Sequence, residues 1–326
     1  MSEPSNGPRS VLVTGAAGFI GSHLVDTLLR MGHEVTGIDN LSRGRLEYLE
    51  DALNKSNFQF SEGDLTDLGS LRSVFSRRRI DTVWHLVANS DIAAGVADPN
   101  VDFRDTFLTT YNTILVMREF GAKRLAFAST SAVYGVHDEL IHENIGPMFP
   151  ISNYGAMKLA SEGLISAAVE SFLERAWIFR FPNVIGSRAT HGIIFDLLAK
   201  LSKNPPDLEV LGDGAQQKPY LHVSELIDAM LLISERAQNP LNYFNIGPDD
   251  EGATVRQIAQ AVLQEAAPLM SIRFTGGKKG WVGDVPRFRY SIEKLKELGW
   301  SPKLSSVAAV ERSVAEIYRD FVVTKA

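Results

Sequence analysis

Brief apolar runs alternate with longer amphipathic stretches through the first half of the chain. Residues 11–13, 34–38, 57–60, 82–86 and 125–128 are short and rich in apolar or β-branched side chains, so each predicts a strand. Between them the apolar spacing changes to a helical period at 22–31, 67–75, 102–120 and 153–174. Residues 177–181 and 243–246 read as further buried strands. Strands separated by helices predict a doubly wound α/β architecture, a parallel sheet with helices on both faces. Such a sheet presents ligands to the loops that follow the carboxyl ends of its strands.

From Pro182 onward the pattern loosens. Pro205-Pro206, Gly212-Asp213-Gly214, Pro219, Gly247-Pro248 and Gly276-Gly277 punctuate it with turns. We therefore expect a first domain over 1–181 and a smaller, mixed α/β substrate domain over 182–326, with 221–248 returning to the first.

Composition narrows the chemistry. Of 326 residues 44% are hydrophobic and 22% charged, as in an ordinary water-exposed domain with ample core. The formal net charge of −6 gives no general attraction for nucleic acid. Without cysteine there is no disulfide, thiolate metal site or thiol nucleophile, which fits a cytoplasmic setting. The seven histidines are scattered, so no metal site is expected. The polar run 1–9 lacks the apolar centre of a signal peptide, and no stretch nears the roughly 20 apolar residues of a membrane span.

Gly15-Ala-Ala-Gly18-Phe19-Ile20-Gly21 follows the first predicted strand and opens a helix. Glycines at those places allow a tight turn and close approach of backbone N–H groups to a pyrophosphate at the helix N-terminus. Asp39 ends the next strand, with Asn40 beside it. A carboxylate there accepts both ribose hydroxyls of NAD and repels the 2′-phosphate of NADP. This is a Rossmann-type dinucleotide signature.

Tyr154 and Lys158 stand four apart at the start of a helical pattern, hence on one face. A phenol is a poor base at neutral pH until a neighbouring ammonium stabilises its phenolate.

The run Thr14-Gly-Ala-Ala-Gly-Phe-Ile-Gly-Ser-His together with Tyr154-Gly-Ala-Met-Lys158 resembles the extended short-chain dehydrogenase/reductase family of nucleotide-sugar epimerases and dehydratases. The resemblance spans about residues 11–300. It implies that Asp64-Leu65 holds the adenine and that Leu86, Val87 and Ala88 line the cofactor. It makes Thr130, with Tyr154 and Lys158, the catalytic set, flanked by Ser131 and Ala132 at the sugar. Asn183, Lys218 and Lys279 inherit contacts to the nucleotide-sugar phosphates, Asp284 is a further substrate-binding position, and Phe288 has a place over the sugar ring. Relatives pair two long helices per subunit, so a homodimer through a four-helix bundle is implied.

Dehydratases of the family resemble Thr-Asp-Glu where this chain has Thr130-Ser131-Ala132, and alanine transfers no proton. The family reading that remains is transient oxidation to a 4-keto sugar and re-reduction, a UDP-hexose 4-epimerisation with bound NAD. Uronate epimerisation, dehydration and 4-keto reduction stay as alternatives, as does a catalytically silent dinucleotide-binding module. Thr106 stands where the family usually has asparagine.

Overall fold

The computed structural model describes residues 9–137, 139–277 and 289–323. Along the chain run β1 (Ser10–Thr14), α1 (Phe19–Arg30), β2 (Glu34–Asp39), α2 (Glu50–Leu53), β3 (Phe58–Glu62), α3 (Leu68–Arg77) and β4 (Thr82–His85). Next come α4 (Ile92–Ala97), α5 (Pro99–Asp102), a π-helical turn Phe103–Leu108, α6 (Thr109–Phe120), β5 (Arg124–Thr130), α7 (Asn153–Ser171) and β6 (Arg175–Phe181). Then follow β7 (Asn183–Ile185), α8 (Ile193–Leu201), β8 (Leu208–Val210), β9 (Gln217–Lys218), β10 (Tyr220–His222) and α9 (Val223–Arg236). The chain closes with β11 (Leu241–Asn245), β12 (Ala253–Thr254), α10 (Val255–Ala266), β13 (Ile272–Phe274), α11 (Glu293–Glu297) and α12 (Ser306–Val323).

Seven strands form one sheet in the order β11-β6-β5-β4-β1-β2-β3. The pairs β1–β2, β2–β3, β1–β4 and β4–β5 are parallel. The order reverses between β1 and β4, and sheets of this kind receive ligands beyond the carboxyl ends of the strands at such a switch point. The doubly wound Rossmann-type sheet is thus the observed fold.

Packing divides the chain into two compact units. The first draws on Met1–Ser129, Ser152–Phe179 and Ala237–Tyr243; the second on Thr130–Ile151, Arg180–Arg236 and Phe244–Ala326. Strand β11, inside the span 221–248, joins the large sheet.

In the first unit α1 buries Leu24, Val25, Leu28 and Leu29 along one stripe, the spacing of a helix on a sheet. Asp67 caps α3 by accepting from Gly69 N and Ser70 N, and the helix lays Leu71, Val74 and Phe75 into a core with Leu12, Val83, Leu125 and Phe127.

The stretch 102–120 departs from the single helix its spacing predicts. A π-helical turn separates α5 from α6. Thr109 Oγ1 donates to the carbonyls of Asp105 and Thr106, and Thr110 Oγ1 donates to the Thr106 carbonyl. Hydroxyls that bond carbonyls of the preceding turn compete with the helical ladder and widen it.

The second unit has its own core, built from α8, α10 and α12 around Leu197, Leu198, Ile258, Val262, Val310 and Val314. Its strands pair in twos: β7 with β10 and β8 with β13 in parallel, β9 with β12 antiparallel. Thr254 and Gln257 form a reciprocal capping box that starts α10. No described helix is long and apolar enough to cross a membrane.

The fully buried Leu71 fixes α3 to the sheet. Leu71→Ala should lower the unfolding free energy of the first unit by about 2–5 kcal/mol, read from the urea midpoint.

Candidate active site

The glycine turn owes its shape to three close approaches. Gly15 has φ +69°, and its N–H, with that of Ala16, donates to the Ile38 carbonyl at 2.9 and 3.3 Å. A Cβ on Gly21 would stand 1.9 Å from the Gly15 carbonyl oxygen, so the first turn of α1 lies directly against the turn backbone. A Cβ on Gly15 would stand 3.3 Å from Val87 Cγ2, which brings the segment after β4 to the same place. Gly18 is the N-cap of α1 and supplies no side-chain acceptor, so Phe19, Ile20 and Gly21 begin a 12-residue helix at a bare backbone surface. This cradle fits a dinucleotide pyrophosphate.

Asp39 lies beside it, 6% exposed, accepting from Ala17 N at 3.0 Å and Leu41 N at 2.8 Å. Burial pushes its carboxyl up, opposed by the N–H groups of Leu41, Ala17 and Gly18. Each oxygen still has a lone pair for a hydroxyl. A glycine that sequence reasoning passed over, Gly44, matters here. Its added Cβ would stand 2.7 Å from Asp39 Oδ1 and 3.0 Å from Ala17 Cβ, so the loop after β2 folds onto the carboxylate.

Side chains tie the neighbouring strand ends together. Asn40 Nδ2 donates to Asp64 Oδ2 at 3.0 Å, and Asp64 Oδ1 accepts from Thr66 N and Oγ1. Leu65 is buried beside it. Arg43 reaches from the loop after β2 to Ser90 Oγ (3.3 Å) and Asp91 Oδ2 (3.1 Å) beyond β4.

Behind the cradle sits a buried polar chain. Thr14 Oγ1 accepts from Leu86 N and Val87 N and lies 2.9 Å from His85 Nδ1. His85 Nε2 lies 3.2 Å from Thr110 Oγ1, whose own proton goes to the Thr106 carbonyl. That pattern assigns a neutral imidazole with hydrogen on Nε2, accepting from Thr14 at Nδ1. Burial, then the nearby Lys158 ammonium, hold His85 down at about 3. His85 is a structural histidine that shapes the turn after β4. Ala88 ends the same turn, half-buried. The next residue, Asn89, donates N–H to Thr106 Oγ1 and Nδ2 to Asp102 Oδ1.

Ser152 starts α7 by accepting from Gly155 N at 3.1 Å, which sets Tyr154 and Lys158 on the first turns. Lys158 is 1% exposed. Its Nζ donates to the Ala128 carbonyl at 2.6 Å and stands 4.6 Å from the centre of the Phe127 ring and 5.9 Å from that of Tyr154. Burial draws the ammonium down to about 7, against the charge of Glu162, which raises it. Spacing therefore placed these two residues together, and the structure adds that the amine is deeply buried.

A residue absent from the sequence reading, Glu162, joins them through Ser129. Ser129, 1% exposed, donates its hydroxyl in a very short hydrogen bond to Glu162, 5% exposed and one helical turn beyond Lys158.

In the second unit Thr130 ends β5 and caps the 3-10 turn Ser131–Val133, its Oγ1 accepting from Ala132 N at 3.1 Å. Its hydroxyl proton remains free to donate elsewhere. Ser131 and Ala132 are half-buried. Asn183 is exposed at the start of β7, level with Tyr220 of β10. Lys218 ends β9, opposite Ala253. Lys279, Asp284 and Phe288 lie outside the described residues. Among the described residues no group of three or more His, Asp or Glu side chains could hold a metal ion.

Two outcomes follow from this geometry. Gly21→Ala should push α1 off the turn, weakening NAD binding at least tenfold by calorimetry and costing about 1–3 kcal/mol of stability. Because folding depresses His85 from its ordinary 6.5, the unfolded chain binds the extra proton between about pH 6.5 and 3. Stability from this group is complete above 6.5 and fades as pH falls through that window, by about 1 kcal/mol per unit. In His85→Gln the urea midpoint should vary less with pH there.

The profile of the NAD dependent epimerase/dehydratase family matches residues 11–247. A UDP-glucose 4-epimerase of Azospirillum brasilense is 30% identical, the match covering 94% of this chain and 90% of that one. A mouse dTDP-D-glucose 4,6-dehydratase is 27% identical over 97% of this chain and 90% of its own length. Among solved structures, a UDP-galactose 4-epimerase superposes with TM-score 0.83 at 34% identity, covering 95% of this chain and 99% of that one. A Thermus thermophilus UDP-glucose 4-epimerase in complex with NAD gives 0.82 at 30%, covering 94% and 98%. A glycine cradle against a carboxylate-tipped second strand, with a tyrosine–lysine pair on α7, agrees with those matches, and the chain belongs to the NAD-dependent epimerase/dehydratase family.

Proposed function

We propose that the chain is a nucleotide-sugar 4-epimerase of the UDP-glucose/UDP-galactose kind, working with tightly held NAD. The observation that carries the reading is the Tyr154–Lys158 pair, with a phenol ring 5.9 Å from a buried ammonium on one helix face. An ammonium so placed favours phenolate over phenol and makes the tyrosine a usable base at neutral pH.

The cradle of Gly15, Gly18, Phe19, Ile20 and Gly21 binds the cofactor pyrophosphate. Asp39 and Asn40 take the adenosine ribose, Asp64 and Leu65 the adenine side, and Leu86 to Ala88 the wall beside the nicotinamide. NAD, when bound, accepts a hydride from a carbinol carbon and returns it. Tyr154 takes the proton of the sugar 4-hydroxyl and later gives it back. Thr130 donates or accepts at that same hydroxyl, its free proton available while its lone pair holds Ala132 N. Lys158 keeps the phenolate stable and positioned. Ser131 and Ala132 line the sugar without an acid or base, which supports inversion at one carbon over elimination of water. Asn183 and Lys218 hold the substrate phosphates, Lys279 adds positive charge to that grip, and Asp284 is a further substrate-binding position.

A homodimer through paired long helices accompanies this reading. Phe103, Tyr111 and Leu115 leave 49%, 45% and 36% of their surfaces exposed along the π turn and α6, apolar positions that suit a partner helix.

The test is product analysis. Protein purified without added cofactor should interconvert UDP-galactose and UDP-glucose, followed by proton NMR, with no 4-keto-6-deoxy sugar formed. Tyr154→Phe should cut turnover by about 10²–10⁴ while NAD stays bound. Near-wild-type turnover in that variant would refute the assignment of the base.

A further inference from the structure

The mechanism above uses Lys158 and leaves unexplained why a cation tolerates burial among Phe127, His85 and the Ala128 carbonyl. Three groups that titrate face it. His85 approaches from β4 and is neutral by its hydrogen-bond pattern. Tyr154 and Glu162 come from its own helix, one turn before and one turn after. β5 contributes only the Phe127 ring and the Ala128 carbonyl. Among these the anion is Glu162, itself 5% exposed. Ser129, the residue after Ala128, donates to the Glu162 carboxylate. One stretch of β5 thus holds both charges, the ammonium through a backbone carbonyl and the carboxylate through a hydroxyl.

We propose that Glu162 is a positioning residue for catalysis, the buried counter-charge that keeps Lys158 protonated, held in place by Ser129. The proposal rests on the reading of Tyr154 and Lys158 given above. Physically, a buried ammonium survives only with hydrogen bonds and an opposite charge, since burial alone drives it to shed its proton. The carboxylate acts in the same way whether or not cofactor is present. It touches no reacting atom. Its effect reaches the sugar only through the protonation of Lys158 and thence the tyrosine phenolate.

Glu162→Gln keeps the shape and an acceptor for Ser129 but removes the charge. Protein labelled with 13C at lysine Cε, the Lys158 signal identified by its loss in Lys158→Met, reports that amine's titration directly. The midpoint in Glu162→Gln should fall by about one pH unit or more. Glu162→Asp, which restores the charge, should recover part of the shift. In the UDP-galactose assay the alkaline limb of kcat should move down in pH with the NMR midpoint, while KM holds. If Glu162→Gln folds poorly, Ser129→Ala should shift the midpoint in the same direction by less. An unmoved Lys158 midpoint in Glu162→Gln, with Tyr154→Phe inactive, overturns this inference alone. Full turnover in Tyr154→Phe overturns the reading beneath it.

Discussion

A positive charge buried at the carboxyl end of an interior strand of the sheet is the constraint on which the first unit's chemistry depends. Transferring an ammonium out of water is costly unless every nearby dipole and charge favours it. Lys158 meets that demand with the Ala128 carbonyl at 2.6 Å, the face of Phe127 and the carboxylate of Glu162. Each of those contacts fixes something else. The carbonyl bond ties α7 to the end of β5. The aromatic contact continues to His85, whose ring stacks on Phe127 at 5.9 Å. A second cation beside the first would be intolerable, and His85 is accordingly held neutral between Thr14 and Thr110.

That neutral histidine links the amine to the opposite side of the sheet's switch point. Thr14 gives its proton to the imidazole and uses its lone pairs on Leu86 N and Val87 N. The turn after β4 is thereby drawn toward the turn after β1, where Val87 packs on Gly15. A tyrosine–lysine helix and a glycine cradle, far apart in sequence, are connected by packed and hydrogen-bonded residues of one unit.

Much of this was legible from the chain alone, because its signals are local. The alternation of short apolar runs with helical spacing marks β1 to β6, and the glycine run, Asp39 and the Tyr154–Lys158 spacing are contiguous patterns. What stayed hidden depends on partners distant in sequence. Nothing local in Ser129 reveals a bond to Glu162, 33 residues on. Thr130 was legible as a site residue only through family resemblance, and its backbone-capping role shows only once the strand end is built. The break at Phe103–Leu108 comes from threonine hydroxyls competing with a helical ladder, which an apolar period does not record. Helices α8, α10 and α12 were obscured by the turn-rich segments between them, although Thr254 and Gln257 carry an N-terminal signature in plain view.

The ties among strand ends have a consequence for how a ligand is received. Asn40 with Asp64, and Arg43 with Ser90 and Asp91, stitch the loops beyond β2, β3 and β4 to one another through the protein's own side chains. Association normally loses free energy to the freezing of loops and rotamers. A rim already ordered has little left to freeze, so more of the contact energy with a dinucleotide survives as residence time. Such a rim would hold a dinucleotide by its own internal ties as much as by the contacts it makes to the ligand.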